Sequence, residues 1–294
     1  MPSLPHRRRV SFVYAEEYRG AGTTVMRGEQ LAAIARQSVP HSTIDFAPLS
    51  RSFRGRHLFL TKGVLKTATA EDFTQWRARG NRILIDPVDE DIPEVALHFA
   101  DVIVAASRSA AADYRDRFPG TQVAVLDHHV DPRVAPIVSG AARPSLGRVG
   151  YFGEPENAFR SGRIDRRVEF IPVDTSRQSP EWLERLPHYS AHYAVRQSRD
   201  LDDHKPFLKG FTAAACEAVI IVDRAQQEPH HWLPADYPYW VDSSVDDGSV
   251  TETLDRVRRD FGSRTWKRAA ESMRLMASQT SRQQIGNQLR ALFS

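Results

Sequence analysis

Short runs of valine, isoleucine and leucine alternate with helix-compatible stretches through most of the chain, and this alternation limits the choice of fold. In the first half the runs occupy residues 9–14, 43–46, 57–60, 82–86, 101–105 and 122–126. Several are nearly continuous in apolar residues, as strands covered on both faces tend to be. Helical patterns between them, at residues 28–37, 70–79 and 108–118, predict a parallel, doubly wound α/β sheet.

A second series of runs begins after a break in the pattern. Residues 131–147, DPRVAPIVSGAARPSLG, hold three prolines and two glycines without periodicity, which is typical of a linker. Candidate strands resume at residues 148–152, 168–173, 191–195, 218–222 and 239–242. At 294 residues the chain also exceeds the usual size of a single core. We therefore predict two Rossmann-like domains, at residues 1–130 and 148–270, joined by that linker.

The C-terminal part of the chain is predicted to be helical. Ser249 and Glu252 have the spacing of a capping box at a helix start. The last helix carries an apolar stripe of Ile285, Leu289 and Phe293, which needs a surface to cover it. We expect residues 271–294 to pack back onto the first domain.

Composition and charge limit the class of protein. No apolar run approaches the roughly 18–20 residues of a membrane span, and MPSLPHRRRV lacks the apolar segment of a secretory signal. One cysteine, Cys216, excludes an intrachain disulfide and suits a reducing cytosol. With 40 basic and 37 acidic residues, the net charge of +3 argues against a dedicated nucleic-acid binder. It suits a phosphate-binding cleft in a cytoplasmic protein, or peripheral association with the inner face of the membrane.

Two lysines lie where an alanine-rich helix is predicted to begin, in HKPFLKGFTAAACEAVIIVD. A helix N-terminus carries partial positive charge, so Lys205 and Lys209 are each mismatched there by about 0.3–1 kcal/mol. Helix N-termini beside the ends of parallel strands bind anions in open α/β sheets. The pair therefore predicts a phosphate or pyrophosphate between the two ammonium groups. The alternative is that both lysines point into solvent.

Several motifs, in order, resemble those of the GT-B glycosyltransferases, which transfer sugars from nucleotide-sugar donors. The segment KGFTAAACEAVIIV resembles K-x-x-E-x-x-A-C-G-x-P-V-I of their C-terminal domain. Four further segments agree in order, namely ADVIVAASRS at 100–109, VLDHHVDP at 125–132, GRVGYFGEP at 147–155 and DYPYWVD at 236–242. The resemblance implies two Rossmann-like domains facing a cleft, with the acceptor on the N-terminal domain and the donor on the C-terminal one.

The resemblance also implies roles for residues of the C-terminal domain. Lys209, with Lys205, is expected to contact the phosphates of a UDP- or GDP-linked sugar, and Gly153 lies in the strand motif that opens this domain. Thr212 stands where the family has a glutamate that binds the ribose, and Glu217 stands where it has a glycine. A threonine makes no charge-assisted pair. The family implies a hydroxyl acceptor (glycan, lipid-linked sugar or protein) and no bound divalent metal or other cofactor.

A glycine loop follows the first candidate strand. Gly20 and Gly22 match the first half of G-x-G-x-x-G, but Val25 replaces the third glycine, which weakens the dinucleotide fingerprint. In a GT-B protein this loop is expected to face acceptor or donor phosphate; a plain tight turn is the alternative. For Arg27, which follows the loop, we expect a solvated side chain more than a phosphate contact.

Candidates for acid–base chemistry follow other strands. Asp86 lies directly at a strand end, with Asp89, Glu90 and Asp91 close behind, and Glu16 and Glu17 follow the first strand. Any of them is a candidate base for an acceptor hydroxyl, although helix capping explains Asp91 as well. His128 and His129 precede the linker without a third metal ligand, so a catalytic, phosphate-binding or structural role remains for them, and His129 is our main candidate. Cys216 is predicted to be a packed small residue.

Two other classes of function compete with a glycosyltransferase. The replacements at Thr212 and Glu217 suit a non-catalytic binding or assembly protein with the same fold. An NAD-dependent oxidoreductase is the third choice, and the incomplete glycine fingerprint counts against it.

Overall fold

The computed structural model describes residues 8–141, 147–174, 181–197, 202–242 and 245–294. The chain divides into two compact units. Unit 1 comprises Met1–His128, His204–Pro206 and Arg282–Ser294, and unit 2 comprises His129–Asp203 and Phe207–Ser281. The first boundary falls two residues before the predicted end of the first domain. The chain returns to unit 1 at Arg282, later than the predicted residue 271, and part of the predicted linker (142–146) lies outside the described residues.

Unit 1 is built on a six-stranded parallel sheet in the order β2-β1-β3-β4-β5-β6. Its strands are β1 (Arg8–Tyr14), β2 (Ser42–Pro48), β3 (His57–Leu60), β4 (Arg82–Ile85), β5 (Val102–Ala105) and β6 (Gln122–Val125). The six predicted runs all form strands, since their apolar residues pack on both faces of the sheet. The α/β prediction for this half of the chain is confirmed.

Helices cover both faces of this sheet. They are α1 (Gly22–Thr24), which continues through a π-helical segment (Val25–Gln30) into α2 (Leu31–Ser38), and then α3 (Lys62–Thr67), α4 (Ala70–Ala78), α5 (Glu94–Phe99) and α6 (Arg108–Arg117). One apolar cluster includes Phe12 and Leu31, and another, on the opposite face, includes Leu60 and Trp76. Alternation along β1 sends Phe12 and Val13 to these two clusters.

Unit 2 is built on a five-stranded parallel sheet in the order β11-β10-β9-β7-β8. The strands are β7 (Val149–Gly153), β8 (Val168–Pro172), β9 (Ala191–Tyr193), β10 (Val219–Asp223) and β11 (Trp240–Val241). The helices are α7 (Val134–Ser139), α8 (Glu181–Arg185), α9 (Leu208–Ala215), α10 (Asp247–Asp260) and α11 (Arg264–Gln279). The predicted capping box is one turn out of place: Asp246 is the N-cap residue, and its side chain accepts a hydrogen bond from the N–H of Ser249 at 2.7 Å.

The last helix, α12 (Arg282–Leu292), belongs to unit 1, where it packs on α2. Ile285, Leu289 and Phe293 enter the cluster that contains Phe12. Close approach requires Gly286, because a β-carbon there would lie 2.3 Å from Ser38 Oγ. Among the described helices, none has both the length and the apolar character that crossing a bilayer demands.

Candidate functional site

The carboxyl edge of the unit 2 sheet is the first candidate region, because open α/β sheets bind ligands beyond the carboxyl ends of their strands. Lys209 lies in the first turn of α9, and its ammonium reaches the end of β7. Nζ donates a hydrogen bond to the Phe152 carbonyl at 2.5 Å and lies 4.2 Å from the centre of the Tyr151 ring. The fold thus holds a cation beside a helix N-terminus at this edge.

Gly153 ends β7 with a φ of +149°, in a region that side chains disfavour. A β-carbon at this position would lie 2.6 Å from Lys209 Nζ and 3.2 Å from the Tyr151 hydroxyl oxygen. Glycine is therefore needed for both the backbone turn and the place of the ammonium. Gly153 and Lys209, two predicted donor-binding residues, are brought together.

Lys205, the other predicted lysine, is placed elsewhere. The helix begins at Leu208, so Lys205 precedes it and is not part of its first turn, contrary to our prediction of a shared helix start. Lys205 belongs to unit 1, where its Nζ lies 3.9 Å from Asp89 Oδ2. Phe207 interrupts the pattern because its conformation (φ −78°, ψ 45°) is not helical. The predicted helix is present, but its first residue was placed too early.

His192 is a buried group near Lys209 that was not among the predicted site residues. It lies on β9, is 3% exposed, and its ring centre is 5.0 Å from that of Phe152. Burial, together with the charge of Lys209, lowers the pKa of His192 to about 3, so the ring is neutral at physiological pH. Among the described residues, its Nε2 has no hydrogen-bond partner. This histidine is therefore a neutral, buried neighbour of the cation.

A polar turn closes β10 at the same edge. Asp223 is 3% exposed, and its Oδ1 accepts hydrogen bonds from the backbone N–H groups of Ala225 and Gln226, both at 3.1 Å. The Gln226 side chain donates to the Ala194 carbonyl at 3.0 Å, which connects the loops after β10 and β9. An aspartate at a strand end before a polar segment was the available signal for this turn.

The two departures from the family motif have different structural consequences. Glu217 follows the C-cap of α9 with φ +54°, and its N–H donates to the Ala214 carbonyl, while that of Ala218 donates to the Ala213 carbonyl. These are the two bonds of a Schellman motif, so a glutamate here keeps the backbone that glycine favours. Thr212, the other departure, is half-buried on α9.

Cys216 is a packed residue, as predicted, and burial raises the pKa of its thiol to about 12.

Unit 1 holds a buried ion pair at the carboxyl edge of its own sheet. Arg27 Nε donates to Asp86 Oδ2 at 2.8 Å, and both side chains are 0% exposed. Arg27 Nη1 also donates to the carbonyl oxygens of Leu126 and Asp127, at 2.8 and 3.3 Å. The expectation of a solvated Arg27 is wrong, because this arginine connects the segment after the glycine loop to the ends of β4 and β6.

Asp86 is thus part of a buried structural network. Burial raises the pKa of its carboxyl, and the nearby Arg27 charge limits that rise. The carboxyl also accepts a hydrogen bond from the backbone N–H of Val88, whose φ of +63° is rare for a β-branched residue. Within the described part of the chain, Asp86 Oδ1, Arg27 Nη2 and Thr24 Oγ1 are buried without hydrogen-bond partners. An acceptor hydroxyl has no open path to this carboxyl.

Two other acids of this segment, Asp89 and Glu90, are paired with lysines. Lys62 Nζ lies 2.8 Å from both Asp89 Oδ1 and Glu90 Oε1, and Lys66 Nζ lies 2.8 Å from the same Glu90 oxygen. Although burial opposes it, hydrogen bonds from Lys62 and Lys66 lower the pKa of Glu90. A lowered pKa makes a carboxylate a weaker base.

The remaining predicted residues lie at separate places. Gly20 is exposed in a turn and Gly22 begins α1. His128 and His129 are buried, at 3% and 2% exposure, where the chain passes from unit 1 to unit 2. In the described residues, no group of three or more His, Cys, Asp or Glu side chains is arranged to hold a metal ion.

A short strap, His204–Pro206, is assigned to unit 1. His204 Nε2 lies 3.0 Å from Asp113 Oδ2, and the His204 carbonyl accepts a hydrogen bond from Ser107 Oγ at 2.9 Å. Ser107 is also the N-cap of α6, since its Oγ accepts from the Ala110 N–H. The sequence offered no signal for this strap, because its contacts join residues 97 positions apart.

Comparison with protein-family models and with curated protein sequences finds no match. Solved structures do match over nearly the full length. A glycosyltransferase from Rickettsia africae ESF-5 aligns with a TM-score of 0.68 and 8% identity, covering 98% of both chains. Sucrose-phosphate synthase from Thermosynechococcus elongatus aligns at 0.59 and 11%, covering 98% of both. Anabaena HepE in complex with UDP aligns at 0.57 and 10%, over 97% of this chain and 98% of that one.

These similarities, at about a tenth of residues identical, concern the fold. They agree with the two parallel sheets of six and five strands described above. The order of elements predicted from the resemblance is confirmed at this level. The chain therefore has the GT-B fold, with two Rossmann-like α/β domains.

Proposed function

We propose that this protein is a glycosyltransferase that moves a sugar from a nucleoside-diphosphate sugar to a hydroxyl acceptor. The observation that carries the proposal is Lys209, a cation fixed beside Gly153 at the carboxyl edge of the unit 2 sheet. Structures of similar fold include one in complex with UDP and one with UDP-glucose. A UDP- or GDP-linked sugar is the donor class that this fold and this cation suit.

The chemistry assigned to Lys209 is the binding of the donor diphosphate and of the charge that develops on it. When the glycosidic bond to the sugar breaks, negative charge accumulates on the departing phosphate oxygens. The ammonium of Lys209 and the backbone N–H groups of the first turn of α9 stabilise that charge together. Such stabilisation needs no divalent ion, and the proposed reaction is metal-independent.

The acceptor side is assigned to unit 1, with a different role for each predicted residue. Asp86 is fully buried against Arg27, so we assign it a positioning role: the pair fixes the helical segment that follows Gly20 and Gly22. His129, which is the first residue of unit 2, remains the candidate for acid–base chemistry. The acceptor is a hydroxyl of a glycan, a lipid-linked sugar or a protein.

Donor binding by Lys209 variants tests the proposal. Lys209→Met should weaken the binding of the productive nucleotide sugar at least about tenfold, because a charge-assisted hydrogen bond contributes about 1.5–3 kcal/mol. Isothermal calorimetry with a panel of UDP- and GDP-sugars measures the affinity, and release of the nucleoside diphosphate measures turnover. Lys66→Met, which removes a lysine of unit 1 that pairs with Glu90, is the matched control and should leave donor affinity unchanged.

The result that contradicts the proposal is a folded Lys209→Met protein with wild-type affinity and turnover. Lys205→Met separates the two lysines: its partner is Asp89, so we expect a smaller effect on donor binding than at Lys209.

A non-catalytic nucleotide-sugar-binding protein is the second candidate. Thr212 favours it, since a threonine on α9 lacks the carboxylate expected there for the ribose. Calorimetry separates the candidates: a binding protein shows donor binding with no turnover against any acceptor, whereas the enzyme shows both.

A further inference from the structure

Helix α11 presents one face to solvent that is strongly basic. Its exposed side chains include Arg264, Lys267, Arg268 and Arg274, with Glu271 among them. Four cations and one carboxylate leave this face with a net charge of +3, as large as that of the whole chain. At 3.6 residues per turn these positions fall within an arc of about 120°. We call these five residues, together with Leu275, the basic face.

Leu275 lies within that arc, between Arg264 and Arg268 in helical projection, at the C-terminal end of the set, and is 60% exposed. Among the described residues it is the large hydrophobic side chain that solvent reaches most. The opposite side of α11 is fully committed to the core, where Ala269, Met273 and Met276 are 0% exposed. The helix thus keeps its ordinary apolar stripe inward and adds one apolar contact on the charged, outward side.

The cations of the basic face also lack acidic partners among the described residues. No carboxylate of the described residues lies within ion-pair distance of Arg264, Lys267, Arg268 or Arg274. Several other arginines of unit 2 do form ion pairs. The pairs include Arg160 with Asp165 at 2.9 Å, Arg167 with Asp255 at 2.8 Å and Arg148 with Glu169 at 2.9 Å. The unpaired charge on α11 therefore does not reflect a shortage of acids on the surface.

Helix polarity adds to this excess of positive charge. Arg264 and Lys267 lie in the first turn of α11, which contains no acidic residue. The partial positive charge of a helix N-terminus disfavours cations there. A negatively charged surface against this face relieves both the mismatch and the mutual repulsion of the four cations.

We propose that the basic face docks unit 2 onto an anionic lipid bilayer, with Leu275 inserted among the headgroups. A bilayer offers a flat array of negative charge with an apolar layer beneath it, which matches cations on the same helix face as one exposed apolar side chain. A nucleic acid matches the charge but gives little reason for an exposed leucine on that face. The proposal is independent of the sugar donor, because vesicle binding needs no nucleotide, so it can fail while the proposed function stands.

Vesicle sedimentation of the full chain tests this docking. Wild-type protein should bind vesicles made of equal parts phosphatidylcholine and phosphatidylglycerol, and should not bind pure phosphatidylcholine. The double variant Lys267→Gln/Arg268→Gln should bind about twenty-five-fold more weakly, since each cation near such a surface contributes about fivefold. Added salt should release the wild-type protein, because charges separated by more than about 8 Å are screened at physiological ionic strength.

Two further variants decide between docking and general charge. Arg79→Gln/Arg115→Gln removes the same charge from exposed positions of unit 1 and should leave vesicle binding unchanged. Leu275→Asn should weaken binding severalfold without altering its salt dependence. The proposal is overturned if wild-type protein does not bind anionic vesicles, or if the control pair weakens vesicle binding as much as the α11 pair. It is also overturned if a soluble polyanion binds wild type and Leu275→Asn equally well and anionic vesicles do not displace it.

Discussion

Replacing Arg27 by methionine should leave a carboxylate buried without its counter-ion. Both members of the Arg27–Asp86 pair are 0% exposed, so solvent does not screen them. Removing one partner of such a pair typically costs about 3–5 kcal/mol. Arg27→Met also removes the donors to the carbonyls of Leu126 and Asp127, which places the expected loss at the upper end of that range.

The double variant Arg27→Met/Asp86→Leu should recover much of this loss. With both charges removed, the remaining loss of stability comes from the two backbone carbonyls that have lost their donors. Each contributes at most about 1–3 kcal/mol. We therefore expect a coupling free energy of at least about 2 kcal/mol between the two positions. Arg77→Met is the control, because its pair with Asp101 is exposed (42% for the arginine) and should contribute less than about 1 kcal/mol.

The loss in Arg27→Met should also depend on pH. Without the arginine, burial raises the pKa of Asp86 further above its unfolded value, so the folded state favours the protonated acid. Stability is then retained below the unfolded pKa, near 4, and lost as pH rises toward the folded pKa. The variant should therefore be closer to wild type at pH 5 than at pH 7.

Urea unfolding by circular dichroism at both pH values measures these quantities, with hydrogen exchange of peptides from β1 to β5 reporting on unit 1 itself. Two units need not unfold together, so the exchange data assign the transition. A double variant as unstable as the sum of the single variants, or an Arg27→Met loss below about 1 kcal/mol, would show that the pair does not hold unit 1 together.

Three predictions concern unit 2. Gly153→Ala should weaken donor binding, measured by calorimetry, about tenfold, because its β-carbon would displace the Lys209 ammonium. It should also destabilise unit 2 by about 1–3 kcal/mol, because alanine is strained at the positive φ of this position. Glu217→Gly should stabilise unit 2 by about 0.5–1 kcal/mol in urea, since φ +54° suits glycine better than glutamate. His192→Leu should reduce acid sensitivity: with a folded pKa of about 3, the native histidine lowers stability by about 1.4 kcal/mol per pH unit as pH falls below 6.5, and leucine does not.

Matched variants sharpen these tests. Gly262→Ala also places an alanine at a positive φ (+79°), but with no atom within 4 Å of its β-carbon, so it should destabilise unit 2 without changing donor affinity. If Gly262→Ala and Gly153→Ala weaken donor binding equally, steric displacement of Lys209 is not the cause. His188→Gln, at an exposed site, should leave the acid slope of wild type in place. If the stabilities of wild type and His192→Leu change in parallel with pH, the His192 ring is not buried and neutral. If Glu217→Gly is less stable than wild type, position 217 does not carry backbone strain.

The fold could be predicted from the sequence because buried parallel strands appear in it as short runs of apolar residues. A strand covered on both faces needs apolar side chains at its buried positions, and residues 58–60 and 83–85, which are all apolar and buried, show this. The edge strand β11 was predicted over four residues and has two, since an edge pairs on one side only. Domain organisation followed from the proline-rich break near residue 131.

The site was less readable, because its contacts join residues far apart in the chain. Arg27 and Asp86 are 59 positions apart, and neither reveals the other. One signal was present in the spacing. Arg27 lies four residues before Leu31 and seven before Ile34, which places it on the apolar face of the helix. A charged residue on such a face implies a buried partner of opposite charge. Lys205 misled for a different reason. Its distance from Lys209 fits one helical turn, but Phe207 is not helical and α9 starts at Leu208.

The two departures from the family motif carry unequal weight. At Glu217 both hydrogen bonds of the Schellman motif are present. Glutamate in place of glycine therefore alters stability but does not alter the path of the backbone from α9 into β10. At Thr212 the backbone is ordinary helix, and only the chemistry of the side chain differs. Loss of a carboxylate removes a possible pair of charge-assisted bonds to a ligand, which no conformational adjustment of a threonine replaces. For the proposed function, Thr212 and its surroundings therefore matter far more than Glu217.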